Sequence, residues 1–293
     1  MKKLNPRPGI LAVAVLAYAA SALAADPYRE YVWDAANNPP SVEGDKNHTD
    51  TYQYWKDRSK LPAMSGVDEW QLNWKFRDRP GNDQLHGGDL AQERGELVYK
   101  KLNTGNAFAA CMGAPDGNLK GLRLKYPRYD EDMKKIVGME ARIEYCSSKL
   151  GSKLVNGSYD NSAVSIYIAA FSNGMPMAID VSQGPLKESF ERGRKAFNLK
   201  AGRMNLACAS CHVQMVGRNL RGQTPTTHFG DLTHWPTWRG KDELQSLHVR
   251  FTECDKNSGV QPLQIGSQSY TDIEVYLSAL SNGYPMQSPS MRD

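Results

Sequence analysis

Apolar positions recur at helical spacing in several separate stretches of the chain. Leu186, Phe190 and Phe197 form one stripe; Leu244, Leu247 and Phe251 form another, the pattern of one buried face on an amphipathic helix. Thr271 with Glu274 reads as a capping box before an apolar run, and Asn282-Gly283 then ends that helix. Asn173-Gly174 ends a counterpart. A different pattern stands at the start. Lys2, Lys3 and Arg7 precede an apolar stretch from Ile10 to Ala20, and Ala22-Leu23-Ala24 follows as an A-x-A cleavage site. This predicts a leader over 1–24, with Ala25-Asp26 opening the mature chain in the periplasm. The stretch is short for a membrane span; an uncleaved anchor is the alternative.

The pattern repeats. Glu93-Arg94-Gly95 precedes Cys111, and Glu191-Arg192-Gly193 precedes Cys208 at nearly the same distance. Arg142-Ile143-Glu144-Tyr145-Cys146 resembles Arg250-Phe251-Thr252-Glu253-Cys254. The run Ile166 to Met177 matches the run Val275 to Met286, both through Ser-Asn-Gly-x-Pro-Met. Three blocks in one order mean two copies of one mainly α-helical domain, over 81–180 and 181–293. Residues 25–80 hold Trp33, Trp55, Trp70 and Trp74, too many large rings for a free tail. They are expected to pack as an extension on the domains, near a partner.

Charge narrows little. The formal net charge is +4, from 36 Lys and Arg against 32 Asp and Glu; loss of Lys2, Lys3 and Arg7 leaves 33 against 32, or +1. That speaks against bulk nucleic-acid binding and leaves anion steering to a local patch.

The decisive chemistry is Cys208-Ala209-Ser210-Cys211-His212, a C-x-x-C-H. Two thiols add to the vinyl groups of a c-type haem, and the following His binds the iron. A zinc site would want a second close pair of ligands, and none is present. Small helical domains around such a haem are the cytochrome c architecture. The first copy has Cys111-Met112-Gly113-Ala114-Pro115 instead, so one haem is expected, on the second copy. Cys111 and Cys146 share a domain with no iron to ligate and are expected to form a disulfide in an oxidising compartment; two buried free thiols are the alternative.

Cys254 is the sulfur left over, and the first candidate for the sixth iron ligand. Arg250 is four residues earlier, on the same face if one helix holds both, where its charge favours thiolate and suits an oxyanion. The alternative is Met286 as an ordinary Met ligand, with Cys254 inert. Met177 stands at the corresponding place in the copy without haem, which weakens that alternative. His228, His234 and His248 are lesser candidates.

Two cytochrome-c-like copies, C-x-x-C-H only in the second, and Arg-x-x-x-Cys after it resemble the SoxA family, the larger subunit of the SoxAX cytochrome of thiosulfate oxidation. The resemblance covers most of the mature chain and is to the one-haem form. It implies His and Cys axial ligation by His212 and Cys254, with a ligand Cys open to persulfide formation. It implies pairing with a small SoxX-type cytochrome c as a heterodimer. The implied activity is that of an L-cysteine S-thiosulfotransferase, coupling thiosulfate to a cysteine of a SoxYZ-type carrier protein with electrons passed to haem. Cys254 would then be the catalytic sulfur and Arg250 the group that binds the anion. The rival from another class is a non-catalytic electron-transfer subunit using Met286.

Overall fold

A computed structural model describes residues 85–215, 225, 228, 230–239 and 243–292. The leader and the Trp-rich stretch through residue 80 lie outside the described residues. Each half of the described chain builds the same succession. The first half has α1 (Gly87–Leu102), α2 (Ala107–Met112), a hairpin of β1 (Arg128–Asp130) and β2 (Lys135–Val137), then α3 (Met139–Lys149) and α4 (Tyr159–Ala170). The second has α5 (Gly184–Asn198), α6 (Cys208–His212), a hairpin of β3 (Thr237–Arg239) and β4 (Glu243–Gln245), α7 (Leu247–Ser258) and α8 (Gln268–Leu280). A short β5 (Met291–Arg292) pairs in parallel with β3.

The repeated Glu-Arg-Gly block explains how the long helices meet. Gly95 lets α1 cross against the Ala163 carbonyl of α4, and Gly193 lets α5 cross against the Asp272 carbonyl of α8; a Cβ at either glycine would overlap that carbonyl. The neighbouring arginine then reaches over the crossing. Arg94 donates from Nε and Nη2 to the two Asp160 oxygens at 2.8 and 2.9 Å. Arg192 does the same to Asp272 at 2.8 and 3.0 Å. These forked charge-assisted pairs fix the rotation of one helix on the other.

The Asn-Gly-x-Pro-Met blocks form the seam between the halves. Gly174 N–H donates to the Met286 carbonyl, Met286 N–H to Met175, Met177 N–H to Tyr284 and Gly283 N–H to Met177, at 2.9 to 3.0 Å. The Asn282 amide brackets the backbone of Ile179 with two bonds of 2.9 Å, and the Asn173 amide brackets Ser288 at 2.5 and 2.8 Å. The seam is therefore reciprocal. The hairpins are exchanged too: β1 and β2 pack on α5, and β3 and β4 pack on α1. Ile136, Met177 and Ile179 of the first half consequently join the apolar cluster of the second, with Phe190, Phe197, Trp235, Tyr276 and Met286. Burial of this shared core is the main force holding the halves together.

Three local expectations are corrected. Leu244 lies in β4, so it does not share a helix with Leu247 and Phe251, both on α7. A strand residue can satisfy the same spacing when a tight turn precedes the helix. Thr271 and Glu274 form no capping box: α8 begins at Gln268, Thr271 donates its hydroxyl to the Ser267 carbonyl at 3.0 Å, and Glu274 sits 3.1 Å from His248 Nε2. The buried carboxylate lies against a ring nitrogen from a neighbouring helix and is not turned back to its own helix start. The helices before both Asn-Gly pairs end earlier, at Ala170 and Leu280, and Gly174 and Gly283 make the left-handed turns at φ 75 and 83 degrees.

Candidate haem and sulfur site

The helix α6 follows a reverse turn in which Ala201 and Leu206 exchange backbone hydrogen bonds of 3.0 and 3.3 Å. Ser210 Oγ accepts from Ala207 N–H at 3.0 Å and starts the helix. On so short a helix, Cys208 and Cys211 fall one turn apart on one face, with His212 next in line. Cys208 packs against the shared apolar cluster beside Ala209 and Val213. Burial pushes its thiol up to about 12, and burial also pushes Cys211 up.

This setting fits a c-type haem. Sulfurs that end as thioethers carry no charge, so an apolar bed costs them nothing, whereas zinc thiolates would be penalised. No group of three or more His, Cys, Asp or Glu suited to a metal ion occurs among the described residues. Among the described residues the fully buried Tyr276 hydroxyl has no hydrogen-bond partner. A buried donor of that kind fits a bound group with acceptor oxygens. Cys208 and Cys211 would attach the haem, and His212 would supply one axial nitrogen.

Cys254 lies on α7 with Arg250 one turn earlier. Burial pushes its thiol up, while Arg250 and Arg239 pull it down. Cys254 is within electrostatic reach of both Cys208 and Cys211, so the three sulfurs lie in one region. Arg250 Nη1 donates to Glu253 Oε2 at 2.8 Å, and Glu253 Oε1 accepts from Gln245 Nε2 at 2.9 Å. The guanidinium beside Cys254 is thus held by a partly buried polar chain.

The other ligand candidates lie elsewhere in the second half. Met286 is buried in the reciprocal seam, where Met177 of the first half has the same surroundings. His228 Nδ1 donates to the His212 carbonyl at 3.1 Å, with its ring 5.1 Å from Phe197. It braces the haem motif from behind. His234 is fully buried at the end of the 3-10 turn Asp231–His234. His248 accepts from Gly266 N–H at its Nδ1.

In the first half, α2 stands where α6 stands in the second. Cys111 and Cys146 are joined there, S–S 2.05 Å, across 35 residues of chain. Arg142 donates to the Cys111 carbonyl at 3.1 and 2.6 Å, to Asp130 at 2.7 Å and to Asp132 at 2.9 Å. No motif marks Arg239 and Gln245 for this site, or the roles of Glu253 and His228 beside it. The repeat register signals Arg239 and Gln245, but a hairpin one residue shorter in the second half hides it from simple alignment.

The family model of the SoxA/TsdA cytochrome c domain matches the chain twice, over residues 94–177 and 192–286. The L-cysteine S-thiosulfotransferase subunit SoxA of Chlorobaculum tepidum is 32% identical over 207 residues, covering 70% of this chain and 71% of that one. The subunit of the same name from Rhodovulum sulfidophilum is 30% identical over 250 residues, covering 80% and 85%. The crystal structure of SoxXA from P. pantotrophus superposes with a TM-score of 0.65 at 22% identity, over 76% of this chain and 87% of that one. The double match falls on both halves, and the second encloses the C-x-x-C-H and Arg-x-x-x-Cys positions: the chain belongs to the SoxA family of c-type cytochromes.

Proposed function

We propose that the protein is the haem subunit of a thiosulfate-oxidising cytochrome complex and acts as an L-cysteine S-thiosulfotransferase. The observation that carries this is the placement of Cys254: half-buried, within electrostatic reach of the C-x-x-C-H sulfurs, with a fixed guanidinium one helical turn away. The relatives named as this transferase subunit support it.

In this reading the chain is two tandem cytochrome-c-like domains, 81–180 and 181–293, after a leader over 1–24 and an extension over 25–80. Only the second domain carries haem, so the chain binds one. His212 and Cys254 are the axial ligands, and Cys254 is also the reacting sulfur. Arg250 holds the sulfur anion. The Cys111–Cys146 bridge occupies the corresponding place in the first domain and is structural. The partner is a SoxX-type small cytochrome c, and the co-substrate is a cysteine of a SoxYZ-type carrier protein. The compartment is the periplasm; no helix among the described residues is long and apolar enough to cross a membrane.

The net reaction joins the carrier thiol to the outer sulfur of thiosulfate. One S–S bond forms, the thiol loses its proton, and two electrons leave. The haem, when bound, supplies the redox centre that takes electrons up. The protein's own residues do the rest. Arg250 offsets the charge of the anion as it approaches a sulfur. Glu253 and Gln245 keep that guanidinium in place, so little reorganisation is needed. A half-buried sulfur at Cys254 remains open to exchange with another sulfur centre.

The test is Cys254→Met. The thioether still ligates iron, and Cys208 and Cys211 still hold the haem. Coupling of thiosulfate to the carrier should fall almost to zero, because a thioether undergoes no sulfur exchange. The low-temperature EPR spectrum of the oxidised protein should change from a low-spin His/thiolate to a His/Met signal. Near-normal coupling by the folded, haem-loaded variant would overturn the assignment in favour of electron transfer alone.

A further inference from the structure

We propose that Arg239 supplies a second guanidinium beside Cys254, so that a doubly charged sulfur oxyanion is held between Arg239 and Arg250. The inference deepens the function proposed above and rests on it.

The two halves of the chain supply the argument by internal comparison. In the first hairpin Arg128 faces Val137 and Asp130 faces Lys135; in the second Thr237 faces Gln245 and Arg239 faces Glu243. Val137 and Gln245 each stand two residues before the following helix. Asp130 and Arg239 therefore hold the same strand position. Arg142 and Arg250 hold the same helix position, four residues before Cys146 and Cys254.

In the first half the side chains at these two positions touch. Arg142 Nη1 donates to Asp130 Oδ1 at 2.7 Å, and both are buried. The pair neutralises the guanidinium, and the other donors of Arg142 go to Asp132 and the Cys111 carbonyl. In the second half a cation replaces the carboxylate. Two guanidiniums repel, so this position no longer neutralises Arg250. Arg239 is only 8% exposed, so its charge is turned inward and largely kept from water.

A second replacement points the same way. Gln245 stands where the first half has Val137. It is 2% exposed, donates to Glu243 and Glu253, and leaves its own Oε1 buried with no hydrogen-bond partner among the described residues. A buried unpaired carbonyl costs stability, and an apolar side chain serves in its place in the first half. The polar side chain is explained if it serves to fix Glu253, which fixes Arg250. Arg239 and Arg250 can then share the oxygens of a sulfonate group, leaving the outer sulfur of the anion toward Cys254. Singly charged anions would gain less from the pair.

The experiment uses the full haem-loaded complex with thiosulfate and the carrier protein. Arg239→Gln should raise the KM for thiosulfate by about ten-fold or more, as loss of a charge-assisted contact does, with kcat changed far less. Inhibition by sulfate, an unreactive dianion, should weaken in parallel, while the KM for the carrier and the low-spin ferric spectrum stay as they were. Arg239→Lys should fall between, with KM raised about two- to five-fold, because an ammonium keeps the charge and loses the fork. Unchanged thiosulfate KM and unchanged sulfate inhibition in folded Arg239→Gln would overturn the inference, as would a loss confined to kcat. If Arg239→Gln does not fold, an unchanged KM in Arg239→Lys overturns it. Cys254→Met, run alongside, separates the two claims: coupling that survives there defeats the proposed function, whereas an inactive Cys254→Met with an unaltered Arg239→Gln defeats only the role of Arg239.

Discussion

Gly193 on α5 lies against the main-chain carbonyl of Asp272 on α8, with no room between them for a Cβ. The carboxylate of the same Asp272 takes both arms of Arg192. One residue of α8 thus receives its neighbour helix through backbone contact and a forked ion pair together. The Tyr276 ring, one turn further along, packs on Phe190 and Phe197 of the same α5. The crossing therefore sets the floor on which the haem motif rests.

Gly193→Val should destabilise the fold by about 1 to 3 kcal/mol or more, because a branched side chain forces the crossing apart in a packed core. Thermal unfolding followed by far-ultraviolet circular dichroism would show the lowered Tm. Gly95→Val should act in the same direction at the crossing of α1 and α4. An unchanged Tm in either variant would contradict the close approach described here.

The Cys111–Cys146 bridge closes a loop with a sequence separation of 35 residues. Chain entropy predicts that Cys111→Ser with Cys146→Ser would lose about 4 kcal/mol of stability. Haem attachment should survive, since Cys208 and Cys211 are elsewhere. Denaturant unfolding and intact mass together check both halves of this expectation. Loss of the haem from a folded double variant would show that the bridge shapes the second half as well.

Asp160 is held below its ordinary value of 3.8, chiefly by its hydrogen bonds from Arg94. A depressed folded-state value means the carboxylate stabilises the fold above the ordinary carboxylate range. That contribution is lost as pH falls through the lower folded value. Asp160→Asn should therefore be less stable than the wild type at neutral pH. The two should converge as pH drops below about 3.8, the value at which an unfolded Asp titrates. Urea unfolding of both proteins across the acid range measures it, and a constant difference at every pH would sink the explanation.

The Glu-Arg-Gly and Asn-Gly-x-Pro-Met blocks were legible as repeats before their purpose was. Gly95 and Gly193 permit two helix crossings, and Met177 and Met286 sit in a reciprocal seam that only the fold reveals. The exchanged hairpins were missed because strands of three residues carry too little periodicity to be read. Glu274 was misread for a related reason. Its spacing from Thr271 is local, but its partner, His248, comes from another helix.

What the sequence determined by itself was local or countable. A covalent haem motif is written in five adjacent residues, a repeat is found by comparing the chain with itself, and Arg250 and Cys254 meet through helical spacing alone. The tertiary structure decided which residues from distant segments hold Arg250. Gln245 arrives on the returning strand of a hairpin and bonds Glu253, which bonds Arg250. Their meeting depends on strand register and on helix packing between elements, and the energies that set both are summed over the whole shared core. A one-residue difference in hairpin length leaves the register intact in space while breaking it in the alignment.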